Sequence, residues 1–162
     1  MKRAVAETTK GHRWRPGHHP NKTARAVEAH ADEAVAELRR LIEEGFRPSP
    51  LRTRRRWDKS AKKWRTIAEP KLWPDQYIHH ALVQVLQPIF LKGMDYWCCG
   101  SVRGRGIKRG KRGIERWIRE DKKGTKCCME GDVRKFYDSL APEIAFELLK
   151  RKVKDRRFLD FV

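Results

Sequence analysis

Apolar residues recur at helical spacing between Lys22 and Glu44, where Val27, Ala31, Val35, Leu38 and Ile42 fall on one stripe. Gly45 stops that helix, and Pro48 and Pro50 break the chain beyond it. A second stripe is the strongest helical pattern in the sequence: Ile78, Ala81, Leu82, Val85, Leu86, Ile89 and Phe90. Asp75, just after Pro74, is placed to cap its start. Pro88 is expected to distort its end, and Gly93 closes it. Between the two stripes lies LRTRRRWDKSAKKWRTIAEP, residues 51–70. Two short Trp-containing runs flank DKSAKK, which predicts a hairpin. Its Arg and Lys density is too high for a buried sheet, so at least one face must meet water or phosphate.

Downstream, glycine interrupts the pattern. Residues 98–124 carry Gly100, Gly104, Gly106, Gly110 and Gly113 among Arg and Lys. Ile107, Ile114, Trp117 and Ile118 predict a helix from near Gly106. Gly110 and Gly113 each weaken it by roughly 1 kcal/mol relative to Ala. TKCCMEGDV, residues 125–133, predicts a strand with Cys127, Met129, Gly131 and Val133 on one face. Cys128, Glu130 and Asp132 take the other face. Pro142 suits the first turn of a last helix carried by Ile144, Ala145, Leu148 and Leu149. The chain stops at Phe161 and Val162 in what reads as an unfinished apolar segment. Residues 1–21 are basic without periodicity and read as a flexible arm. The elements together predict an α/β chain of the α+β kind, mostly helical.

The 162 residues are one domain's worth of chain. Lys and Arg number 39 against 21 Asp and Glu, a net charge of +18. That surplus needs a polyanionic partner, and nucleic acid is the usual one, with an anionic membrane surface as rival. No long uncharged apolar stretch exists to span a bilayer. MKRAVAETTK lacks the apolar run of a secretory signal, so the expected compartment is cytoplasmic. The cysteines occur as adjacent pairs, Cys98-Cys99 and Cys127-Cys128. Adjacent pairs suit a single tetrahedral zinc site poorly, and a reducing compartment favours buried free thiols. No histidine is assigned to a metal.

GDVRKFYDSL, residues 131–140, carries the sharpest chemistry. An Asp at the end of a buried strand is costly unless it is paired or bound to a cation. Asp132 therefore has two readings. It caps a turn or pairs with a neighbouring Arg, or it ligates magnesium for phosphoryl transfer. Phe136 and Tyr137 are either ordinary core or a floor beneath a nucleotide sugar. Asp138 is read as structural or capping. SVRGRG is either a mobile solvated loop or a loop whose glycines let backbone approach a phosphate while Arg forks onto it. It is not a Walker motif.

Taken in order, three blocks resemble the reverse transcriptase family, nearest to bacterial, phage and group II intron enzymes, the polymerases of mobile genetic elements. WRTIAEPKLWPDQYIHHALVQVLQPIF, residues 64–90, looks like the fingers segment, with R-x-[apolar]-x-x-P, then Asp, then a helix ending L-x-P-I-F. CGSVRGRGIKRGKRGIERWI, residues 99–118, is similar to the Gly-Arg block G-[FS]-R-x-G-[RK]-[GS]. EGDVRKFYDSL, residues 130–140, looks like the first catalytic palm motif, D-[IV]-[KR]-x-[FY]-[FY]-D. Each block is degenerate alone; their order and spacing together are specific.

The resemblance implies fingers over 22–124, followed by the start of a palm over 125–162. It implies an RNA-directed DNA polymerase that uses an RNA template, a DNA primer and dNTPs. Asp132 would bind two magnesium ions, one of them also held by the carbonyl of Val133. Phe136 would be the gate against a ribose 2′-hydroxyl, with Tyr137 the second candidate. Arg65 and Lys63 would hold the triphosphate. Lys71, Arg103, Arg105 and Lys108 would track nucleic acid. The family also requires an aromatic-x-Asp-Asp hairpin, and no adjacent Asp pair occurs in this sequence. The expectation is therefore an incomplete palm, inactive as an isolated chain unless a second chain supplies the rest. The competing expectation is a non-catalytic basic module that binds RNA or DNA. An incomplete palm would also leave the last helices with exposed apolar surface and a tendency to self-associate.

Overall fold

The stripe over residues 22–44 folds as two helices rather than one. In a computed structural model describing residues 1–12, 21–134 and 136–162, without the side chains of Tyr137 and Asp138, α2 (Lys22–Ala29) and α3 (Ala31–Glu43) meet at His30. His30 has φ −122° and ψ 50°, which is not helical. The Asn21 side chain caps α2 by accepting the Ala24 N–H at 3.2 Å. Asp32 and Glu33 stand in the first turn of α3, where the positive end of the helix dipole favours them.

The break lets both helices pack on a third that the sequence concealed. Residues Lys2–Gly11 form α1, and Ala4, Val5, Thr8 and Thr9 are buried along it. The flexible-arm expectation is corrected for these residues; Arg13 to Pro20 lie outside the described residues. Ala and Thr make a weakly apolar stripe, so periodicity missed it. Thr8 satisfies its own hydroxyl by donating to the Ala4 carbonyl at 2.8 Å. Lys2 pairs with Asp32 at 2.7 Å, which holds the Asp32 carboxyl below its usual range.

Two compact units are present, Met1–Pro88 with Asp155–Val162, and Ile89–Lys154. The core of the first joins Val5, Val27, Ala34, Val35, Leu38, Tyr77 and Ile78. Leu38, Tyr77 and Ile78 are wholly buried. The Tyr77 hydroxyl shares a 3.2 Å hydrogen bond with Thr9, and burial pushes its ionisation upward. The hairpin forms as predicted, from β1 (Arg52–Asp58) and β2 (Lys63–Glu69), antiparallel and in register from Arg52 opposite Glu69 to Asp58 opposite Lys63. Asp75 is buried, and its carboxylate accepts the Ser49 N–H at 3.1 Å rather than capping α4 (Tyr77–Leu91). It thus ties the Pro48–Pro50 segment to the helix entrance. Pro88 lies inside α4, one turn before its end.

In the second unit α5 (Ile107–Glu120) starts where predicted. It is followed by the short α6 (Phe136–Ser139) and by α7 (Pro142–Lys152), which has Pro142 in its first turn. The packing here is aromatic: Trp97 meets Trp117 edge-on at 4.7 Å and Tyr96 at 4.9 Å. The Arg109 guanidinium lies 3.7 Å from the Tyr96 ring centre. Gly113 is buried, and a Cβ there would run into the Trp97 ring. Gly113→Ala is therefore expected to destabilise this unit, although Ala is the better helix former by about 1 kcal/mol. Loss of near-ultraviolet circular dichroism from the Trp97–Trp117 pair would register it; an unchanged spectrum would refute it.

The strand expected over 125–133 is not formed, and the described residues contain one sheet of two strands. Alternation alone does not make a strand, because its N–H and C=O groups need a neighbour. Met129 is 97% exposed, so the apolar face has nothing to cover it. A last helix, α8 (Arg156–Phe161), joins the first unit, capped by Asp155 accepting the Phe158 N–H at 3.0 Å. Phe161 packs beside Phe46. The fold is thus mixed α+β and predominantly helical. No helix among the described residues is long and apolar enough to cross a membrane.

Candidate nucleic-acid interface

Opposed residues of an antiparallel pair share a face, so the register assigns the hairpin's two surfaces. One carries Arg52, Arg54, Arg56 and Asp58 opposite Glu69, Ile67, Arg65 and Lys63. The other carries Thr53, Arg55 and Trp57 opposite Ala68, Thr66 and Trp64. Neither face is packed: only Asp58, Ile67 and Glu69 are even half-buried. From Arg52 to Glu69 the ribbon bears eight Lys and Arg against two carboxylates.

A two-stranded ribbon without a core is marginal by itself, and local contacts hold this one. Trp57 and Trp64 meet edge-on at 5.5 Å, with the Arg55 guanidinium 5.4 Å from the Trp64 ring. Asp58 organises the turn. Its Oδ1 accepts from Ser60 Oγ at 2.7 Å, Ser60 N at 3.0 Å and Ala61 N at 3.1 Å. Its Oδ2 takes Arg65 Nε at 2.6 Å. Bonds from the Ser60 hydroxyl, the Ala61 amide and Arg65 hold the Asp58 carboxyl far below the usual carboxylate range. Lys62 takes the left-handed φ of 48° that closes the turn. Since folding depresses this pKa, the carboxylate's contribution is complete above the unfolded value of about 4 and fades as pH falls toward the folded one. The Trp57–Trp64 exciton signal is expected to hold at mildly acid pH and weaken only in strong acid, and to be weak at every pH in Asp58→Ala. A signal fading near neutrality would contradict that.

One feature of the ribbon is costly for folding. Arg56 stands directly opposite Arg65, like charge against like. Asp58 occupies Arg65 from one side, while Arg56 has no ion-pair partner among the described residues. An anion laid across the strands would relieve that repulsion.

The residues singled out from the sequence divide between the two units. Lys63, Arg65 and Lys71 belong to the first, all exposed. Arg103, Arg105 and Lys108 belong to the second. Arg103 and Lys108 are exposed, whereas Arg105 is half-buried and donates from Nη1 to the Asp95 carbonyl at 2.9 Å. Asp132 is exposed in an irregular segment, and Val133 and Phe136 are 62% and 49% exposed. The side chain of Tyr137 lies outside the described residues.

The expected two-magnesium site is corrected. Among the described residues no group of three or more His, Cys, Asp or Glu side chains is placed to hold a metal ion. Without the strand expected over 125–133, Asp132 is solvated rather than buried, and the desolvation that would have demanded a cation is gone. The cysteines are free but not buried: Cys98, Cys127 and Cys128 are exposed and Cys99 is half-buried. What sequence reading missed is the pairing of Arg56 with Arg65, which depends on register and has no signature along the chain. No protein-family model matches this chain, and no curated protein is significantly similar to it.

Proposed function

We propose that this chain binds nucleic acid through the β1–β2 ribbon, as the template-holding, fingers-like part of a polymerase of the reverse transcriptase kind. One observation carries the reading: an arginine-rich ribbon with no packed face and two arginines opposed across its strands. Phosphate is the anion that such a surface suits, because Arg forks onto it and each contact releases counterions. Trp57 and Trp64, 45% and 57% exposed, add faces on which bases stack. The resemblance of the three blocks suggests that the ligand is an RNA template with its DNA primer, with dNTPs and a second chain belonging to the complete enzyme. The binding role does not need Asp132, and no bond-making step is assigned to it.

The test is fluorescence anisotropy with an RNA oligonucleotide and an RNA–DNA primer–template across a salt series, with primer extension on the same samples. Binding should weaken steeply with salt, by roughly 0.7 to 0.9 in log–log slope per phosphate neutralised. Asp132→Ala should bind as well as the parent, and neither should extend a primer. A flat salt response, equal affinity for anionic vesicles, or extension that Asp132→Ala abolishes would each overturn the reading.

A further inference from the structure

At the root of the ribbon, within the first unit, lies a polar cavity of about 720 Å³. Six basic or imidazole side chains line it: His12 after α1, Arg52 and Arg54 on β1, Lys71 before α4, and His79 and His80 in the first turn of α4. Glu69 of β2 is the one carboxylate among the lining residues, and it is already occupied. Arg54 holds its Oε1 from Nη2 at 2.7 Å and from Nε at 2.9 Å. Among the described residues Arg52 and Lys71 have no ion-pair partner, so at least two cations face the space uncompensated.

His12, at the wall, is held by Gln76. Gln76 Nε2 donates to the Pro70 carbonyl at 3.0 Å, which leaves Gln76 Oε1 as an acceptor. His12 Nε2 lies 3.3 Å from that oxygen and therefore carries the proton. Asn21, at the start of α2, adds a neutral amide to the lining.

We propose that this cavity is a binding site for a phosphate-bearing anion carrying at least two negative charges. Guanidinium forks, an ammonium and imidazoles are the donor set that recognises phosphate oxygens, and a single carboxylate would leave half of that charge unanswered. The site is separate from Lys63 and Arg65, which do not line it. The same chemistry comes from two sources, the terminal phosphate of a nucleic-acid strand or a free pyrophosphate-like anion.

The experiment is calorimetric titration of the full chain with inorganic pyrophosphate at one fixed pH. Arg52→Gln combined with Lys71→Gln is compared with Arg55→Gln combined with Lys63→Gln at the far part of the ribbon. The cavity pair should weaken pyrophosphate by about tenfold or more, since two charge-assisted contacts are lost, and the ribbon pair by less than about twofold. No pyrophosphate binding, or an equal loss in both pairs, overturns the proposal. RNA binding measured alongside separates the two readings: RNA bound without pyrophosphate removes the cavity and leaves the ribbon. A preference for 5′-phosphorylated over 5′-hydroxyl RNA that the cavity pair abolishes assigns the strand end as ligand. Pyrophosphate binding without that preference assigns the free anion.

Discussion

Replacing Arg55, Arg56 and Lys63 with glutamine is expected to lower RNA affinity by roughly two orders of magnitude at physiological salt, and to reduce the log–log salt slope by about 2. These three cations are chosen because the ribbon does not need them for its own ion pairs: Arg54 is committed to Glu69 and Arg65 to Asp58. Arg55 lies over Trp64, so its loss also removes a cation from the stacking face. In Arg56→Gln alone, stability should move the opposite way. Taking Arg56 from its place opposite Arg65 removes a like-charge pair and should leave the ribbon slightly more stable, not less. Weaker binding together with a firmer ribbon in Arg56→Gln is a combination that unfolding cannot mimic. Anisotropy at several salt concentrations, with thermal unfolding of the same samples, checks both halves. An unchanged salt slope would place the nucleic acid elsewhere on the molecule.

Leu38→Ala is expected to cost about 2 to 5 kcal/mol, the range for truncating a fully buried Leu. Leu38 has no exposed surface and sits among Val5, Val27, Val35, Tyr77 and Ile78. Those residues come from four helices, so the cavity would loosen α1, α2, α3 and α4 together. A domain with ordinary stability of about 5 to 15 kcal/mol loses much of its margin to such a change. Leu148, on α7, is 49% exposed, and Leu148→Ala should shift stability by no more than about 0.5 kcal/mol. Urea unfolding followed by far-ultraviolet circular dichroism separates the two variants. Similar midpoints would mean that the first unit does not close over Leu38. The ribbon projects without a packed face, so Leu38→Ala should lower RNA affinity only as far as it unfolds the unit.

Most of the elements were legible where residues were strongly apolar or where proline and glycine punctuate. Pro142 marked the start of α7, Gly106 the start of α5, and the Trp runs around DKSAKK the hairpin. The weak stripe of Ala4, Val5, Thr8 and Thr9 was not legible, because small residues bury well only when a partner helix lies close. Cys127, Met129 and Val133 alternate like a strand but have no neighbouring strand to bond with. The exposed apolar residues expected on the last helices are present on α7, where Ile144 and Leu148 face solvent.

The sequence by itself determined the charge surplus, the hairpin and the positions of the strong helices, because these follow from composition, turn chemistry and local period. Tertiary structure decided the rest. It turned a supposed arm into a core helix, since burial of small residues depends on what packs against them. It left Asp132 in water, because a carboxylate's need for a cation arises only when its surroundings exclude solvent. And it brought Arg56 against Arg65, and Arg52, Lys71 and three histidines around one cavity, because register and packing join residues that are far apart along the chain.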